Sequence, residues 1–265
     1  EKRKKIEELT RKLAEADGVV RKRLLARMED DGGNENRDGL PQPVSRWSFD
    51  KDLRDEIGSL HGQARGTARG EGGALVLDGK TGFVLTAPLT KTIKSRTLEA
   101  WVQLSSLDQK GGGVIGLQGV SGEPFDAIVY AEKESRRWMS GSSGHRRTSS
   151  FGGEEEKEAK SQFVHLAIVY HEDGTIVGYR NGRPYGKSYK SGFMIYGAGE
   201  HQVILGMRHG TTPDSKRMLS GRIDRAQLYD RALTAEQVAL SADVKVVTED
   251  ALIAALSDEQ KVTRT

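Results

Sequence analysis

The chain has 265 residues, a net charge of +3, 32 glycines, six prolines and no cysteine. That length supports one β-sandwich with appendages and a sizeable core, and the missing cysteines exclude disulfides, thiolate zinc sites, thiol nucleophiles and covalent haem attachment from this segment. The positive charge is local: residues 1–30 hold ten Lys/Arg against seven Asp/Glu, and the remainder holds 31 of each. No basic stripe is left for nucleic acid, and no apolar run is long enough to span a membrane.

Residues 1–30 read as an amphipathic helix. Ile6, Leu9, Leu13, Ala16 and Val20 fall at a/d spacing, with Glu7–Arg11 and Glu8–Lys12 as i,i+4 pairs. The register lasts under four heptads, so a dimerising coiled coil and a connector helix packed on a neighbouring domain are both open. Opening on Glu1 rather than on Met and a signal peptide suggests a piece of a longer protein. Residues 31–43 are a linker by composition.

From residue 44 to 242 the pattern is strand after strand. Val44–Asp50 is a first strand. Ala74–Asp78 and Phe83–Thr86 read as a hairpin around DGKTG, and Thr97–Leu104 alternates apolar and polar positions. Gly113–Gln118, Phe125–Ala131 and Arg136–Ser140 follow, and the polar stretch Gly141–Lys160 reads as an exposed loop. Phe163–Gly186 then carries Asp173-Gly174 and Asn181-Gly182 between β-branched runs, a three-strand antiparallel meander. Gln202–Gly206 and a long closing strand, Leu219–Asp230, precede a helix capped by Thr234 that runs to about Ala242. Residues 243–265 form a C-terminal helical extension, with Thr248 as its cap. The expected class is all-β: an antiparallel jelly-roll sandwich with a charged N-terminal helix and short C-terminal helices.

RWSFD, GGALVLDG, TLEAWVQL, FVHLAIVYHEDGTIVGYRNGRPYG and GRIDRAQLYDRALTAEQVA, in that order, resemble the LamG-like jelly-roll domains of the concanavalin A-like lectin/glucanase superfamily. LDQKGGGVIGLQ, FDAIVYAEKESRRWMSGS, Arg147-Thr148 and GMRH further resemble the LamG-like insert of large planctomycete cytochrome-c-domain proteins. The resemblance implies an envelope or extracellular setting, with other domains of a parent chain as neighbours and the haem motif elsewhere in that parent.

The superfamily contains glycosidases, which need two carboxylates about 5 Å apart for retention or about 6.5–9.5 Å for inversion. The E-x-D-x-x-E strand signature of its glucanases is absent here, so the expectation is a non-enzyme. The six histidines show no zinc spacing. Asp50, Asp52 and Asp55 depart from the EF-hand pattern, because Arg54 and His61 stand where ligands are required. The resemblance still allows a structural Ca2+, for which Asp55 and Asp224 are the positions to test. Carbohydrate recognition combines an aromatic platform with polar side chains. Trp138 beside Arg137, followed by His145 and Arg147, is the first candidate; Tyr179, Arg180 and Asn181 at the tip of the meander are the second; Arg208 and His209 are the third. Each has a plainer role open to it. Trp138 can be core, Arg180 can pair with an acid, and Asn181 suits the turn whatever else it does. The leading expectation is a non-catalytic module that binds polysaccharide; the alternative is a structural spacer packed on the parent's other domains.

Overall fold

The computed structural model describes Val20 and residues 39–242. Apart from Val20, the expected N-terminal helix lies outside the described residues, as do residues 31–38 of the linker and the 243–265 extension.

The strands are β1 (Ser45–Trp47), β2 (Gly62–Arg65), β3 (Arg69–Glu71), β4 (Ala74–Asp78), β5 (Phe83–Pro88), β6 (Arg96–Leu104), β7 (Gly112–Gly119), β8 (Phe125–Tyr130), β9 (Trp138–Ser142), β10 (Val164–Tyr170), β11 (Thr175–Arg180), β12 (Arg183–Pro184), β13 (Tyr189–Lys190), β14 (His201–Leu205) and β15 (Ser220–Tyr229). A helix, α1 (Ala235–Ala242), follows. One sheet runs β12-β11-β10-β6-β15-β4-β3, with β1 on β15 and β13 on β11; the other runs β2-β5-β14-β7-β8-β9. All pairings are antiparallel, which makes the fold a two-sheet sandwich of the expected class.

The central strand β6 shows why the sequence folds this way. Its alternate residues Leu98, Ala100, Val102 and Leu104 enter the main core, and β10 sets Ile168, Leu166 and Val164 opposite the first three. On its other side β15 must present both Ile223 and Ala226 inward, although residues three apart on a regular strand face opposite ways. A register shift between Ile223 and Arg225 solves this by leaving Asp224 as the extra residue of a bulge. The second face of β6 is covered as well. Tyr229, Leu233 and Val238 pack there with Ala167 and Val169, and the Glu99 carboxylate bonds His165, Gln227 and Ser241 of α1.

Three expectations need correction. Ala74–Asp78 and Phe83–Thr86 do not form a hairpin: β4 pairs with β15 and β3 in one sheet, β5 with β14 and β2 in the other. The Asp78 carboxylate accepts amide hydrogen bonds from Lys80, Thr81 and Gly82, each at 2.9 Å, and folds DGKTG into a corner that carries the chain between layers. The 141–160 stretch is only in part the exposed loop expected. It begins with the end of β9, and Phe151, Glu156 and Ala159 are buried in it. The first strand is also shorter than expected, because Phe49 takes a left-handed φ of 60° and turns the chain away. The meander and the capped helix form as the sequence implies, with Thr234 and Gln237 exchanging hydrogen bonds at the start of α1.

Candidate functional site: a strap across the second sheet

Between β14 and β15 the chain makes a long excursion, residues 207–218, closed at its base by the Met207–Met218 bridge. This strap lies directly on β7. A Cβ on Gly113 would sit 2.3 Å from the Cα of Arg208, so only glycine permits the approach. Farther along, Gln118 exchanges hydrogen bonds with the Gly210 backbone at 2.8 and 3.1 Å, and the His209 ring stacks on Phe125 with centroids 3.9 Å apart.

The strap delivers Arg208 and His209 to one side of a polar seam. On the other side stand Glu132, just past β8, Glu123 from the β7–β8 turn, and His145 from a turn after β9 in which Gly144 and His145 both have φ 57°. Arg208 donates to Glu132 Oε1 at 2.8 Å, and His145 Nδ1 lies 3.7 Å from the same oxygen. His209 Nε2 is 3.2 Å from Glu123 Oε1, while the second oxygen of Glu123 accepts from Ser143.

The seam is short of partners. The Glu132 side chain is 3% exposed, yet its Oε2 accepts no hydrogen bond; buried Arg208 Nε and His209 Nδ1 also have none. A buried polar atom left in this state costs roughly 1–3 kcal/mol. Burial raises the Glu132 carboxyl above its usual range despite Arg208. Burial, with Arg217 and Arg208 nearby, lowers His209 to about 4, so it is neutral at neutral pH. The seam thus offers a vacant carboxylate acceptor, a vacant N–H donor and an unpartnered ring nitrogen, a set that hydroxyl groups satisfy because each both donates and accepts.

The other sequence candidates are held elsewhere by internal bonds. Trp138 is 3% exposed and is not a surface platform: its ring packs on Tyr130 and its Nε1 donates to Glu156 at 2.7 Å. Arg180 grips the same Glu156 through Nε and a terminal nitrogen, both at 2.9 Å, and reaches Glu158 at 2.7 Å. Arg137 bonds the Gly153 carbonyl and faces Glu134 and Glu155. Arg147 is buried against Asp126, which Arg96 also contacts. Tyr179 packs beneath α1, and Asn181, with φ 49°, accepts the His165 amide. Burial consumes these groups in holding the fold. His145, Arg208 and His209, drawn from two separate sequence candidates, are the ones brought together. Glu132 was not among the candidates, because nothing local to AEKES marks one acid as buried; its partner Arg208 arrives from the strap.

Asp55 does not fit calcium. Its carboxylate accepts the amides of Arg46, Ile57 and Leu60 at 3.0–3.1 Å, so the lone pairs a cation would use already face N–H groups. Asp224 sits at the bulge of β15. Among the described residues no group of three or more His, Asp or Glu side chains is placed to hold a metal, and no helix is long and apolar enough to cross a membrane.

The two-sheet sandwich places the protein in a recognised class. The family model of the concanavalin A-like lectin/glucanases superfamily (Laminin_G_3) matches residues 78–239, and the chain belongs to that family. Among solved structures it is similar to domain 4 of AbnA, an extracellular GH43 arabinanase from Geobacillus stearothermophilus, in complex with arabinotriose: 20% identity, 76% of this chain and 98% of that one, TM-score 0.57. It is also similar to Trypanosoma rangeli sialidase in complex with 2,3-difluorosialic acid, at 14% identity over 77% of this chain and 33% of that one, TM-score 0.57. The binding domain of botulinum neurotoxin DC in complex with SialylT aligns at 10% identity over 77% of this chain and 51% of that one, TM-score 0.52. At these identities the likeness shows the shared fold, and the chain spans about a third of the sialidase. A search of curated proteins found no match.

Proposed function

We propose that this domain is a non-catalytic carbohydrate-binding module within a larger envelope or extracellular protein, and that it engages a polysaccharide at the strap. The observation that carries the reading is the convergence of three buried, partnerless polar atoms, on Glu132, Arg208 and His209, in one seam. Sugar hydroxyls match that donor–acceptor set, and the exposed His145 is the side chain through which a ligand reaches it. The fold's relatives support the class of ligand, since two of the similar structures hold an arabinose oligomer and a sialic acid derivative. Binding rather than hydrolysis is favoured because the acidic strand signature of the superfamily's glucanases is absent from the sequence, and because Glu123 is held by Ser143 and His209.

The test is titration of the chain with neutral and sulfated polysaccharides, arabinan included, beside Arg208→Ala. Saturable binding weakened about tenfold or more by that substitution, with an unchanged circular dichroism spectrum, is the expected result. A second reading, a spacer packed on the parent's other domains, draws on the burial of Trp138 and on exposed Phe193 and Ile195 in one loop. Absence of binding to every polysaccharide would leave the spacer standing and remove the module.

A further inference from the structure

The exposed large apolar side chains of the described residues are Ile57, Val120, Phe193 and Ile195, and the last two stand together on the loop between β13 and β14. The backbone there is pinned. Ile93 and Tyr196 exchange amide hydrogen bonds at 2.8 and 2.9 Å, and buried Arg96 donates to the carbonyls of Lys94 and Met194 at 3.0 and 3.1 Å. Alternation along this segment sends Met194 and Tyr196 to the core and Phe193 and Ile195 to the surface, 38% and 45% exposed. Their exposure is therefore built into the backbone, although a polar residue at either position would serve the fold as well.

The segments around this pair carry charge of one sign. Residues 90–96, 143–150 and 187–199 hold seven Lys or Arg and no Asp or Glu. Carboxylates from elsewhere reach some of them. Asp230 takes Lys91, Asp173 takes Lys190, and Asp126 alone serves buried Arg96 and Arg147, so that trio keeps one positive charge. Lys94 and Arg146 are exposed and form no ion pair among the described residues. Both flank the apolar pair. The Ile93–Tyr196 pairing sets Lys94 across from Ile195 on the same outward face. The 146–147 turn lies against the start of the loop, where Ser191 Oγ donates to the Arg146 carbonyl at 3.2 Å.

We propose that this loop seats the domain on an anionic lipid surface, with Phe193 and Ile195 entering the acyl boundary and Lys94 and Arg146 on the headgroup phosphates. A lipid interface supplies both partners at once, hydrocarbon for the apolar tip and negative charge at the level of the flanking cations. It also needs no pocket shaped to the two side chains. A protein occupant, such as the neighbouring domain of the spacer reading, would need that pocket and carboxylates placed for Lys94 and Arg146 as well. The site uses none of the seam's residues and does not rest on the carbohydrate reading.

The test is co-sedimentation of the whole chain with phosphatidylcholine vesicles, alone or with about one-third phosphatidylglycerol. Binding is expected on the anionic vesicles, about tenfold or more weaker on the neutral ones, and falling as salt is raised. The double variant Phe193→Ser, Ile195→Ser changes only exposed positions and is expected to weaken binding about tenfold or more, with an unchanged circular dichroism spectrum. Lys94→Ala with Arg146→Ala is expected to cost about tenfold. The native tryptophans Trp47, Trp101 and Trp138 are all buried, so Phe193→Trp is a local probe. Its emission should shift to the blue on anionic vesicles and be quenched by spin-labelled acyl chains. The proposal is overturned if no vesicle binds, if the Phe193→Ser, Ile195→Ser chain binds as well as the parent, or if the Phe193→Trp emission is unmoved by bound vesicles. Polysaccharide binding with no vesicle binding would keep the strap reading and sink this one.

Discussion

Two buried glutamates in this sandwich each face an arginine, and they end in opposite electrostatic states. Glu156 accepts from Trp138, from Arg180 twice, and from the amides of Lys157, Glu158 and Ala159 at 2.8–3.0 Å. Burial alone would raise its carboxyl, but Arg180, Trp138 and the amides bring it down to about 2. Glu132 has Arg208 on one oxygen and nothing on the other, and there burial prevails and the carboxyl is raised. Donor count, not the presence of an arginine, decides the sign. A saturated carboxylate is a structural tie; an undersupplied one is a place where a ligand has something to add.

The largest test of that contrast is Glu156→Ala. It strands the Trp138 N–H, the Arg180 guanidinium and three amides, and should cost about 3–5 kcal/mol in urea denaturation. A loss under about 1 kcal/mol would show that Glu156 is no tie. Acid titration reads the same site without mutation. A carboxyl depressed in the folded state stabilises above its unfolded value, near 4.5, and that stability drains as pH falls toward 2. The loss should be on the order of 2–3 kcal/mol and should be absent in Glu156→Gln.

The strap should respond differently. Neutral His209 must take up a proton in the unfolded chain as pH falls from 6.5 toward 4, so stability should decline across that window by on the order of 2 kcal/mol. His209→Phe keeps the ring on Phe125 and should flatten the slope; an unchanged pH profile would assign it to another group. The smallest effect expected on stability is that of Glu132→Gln. Its raised carboxyl makes the ionised form unfavourable at neutral pH, and that penalty fades as pH falls toward the folded value, so the neutral amide should leave stability within about 1 kcal/mol. Glycan binding should nonetheless weaken about tenfold, because the vacant acceptor is altered. A large stability loss with binding intact would make Glu132 a second Glu156 and end the contrast.

Much of the fold was legible along the chain. The meander of 163–186 announced itself through Asp173-Gly174 and Asn181-Gly182 between β-branched runs, and Thr234 with Gln237 marked the start of α1. The DGKTG corner was misread because a tight turn between two apolar runs has the same local signature whether the second strand returns beside the first or crosses to the facing sheet. Of the binding candidates, Arg208 and His209 were visible only as polar residues after a strand. Their partners at Glu132 and Glu123 are about 80 residues away in sequence, and no local pattern joins them.

What the sequence determined by itself is the part governed by short-range physics: two-residue alternation, turn dipeptides with left-handed backbone, a capped helix, and the ordered motifs that mark the family. Tertiary structure alone decided which polar groups are spent and which are spare. Trp138 and Arg180 carry the residue types of a sugar platform, yet the loop anchored by buried Phe151 and Ala159 brings Glu156 to both and saturates them. Glu132 carries the type of a surface acid, yet the strap buries it with half its hydrogen bonds unmade. Hydrogen-bond satisfaction depends on donors from distant strands arriving within about 3 Å, and that is a property of the assembled sheets, not of any segment read alone.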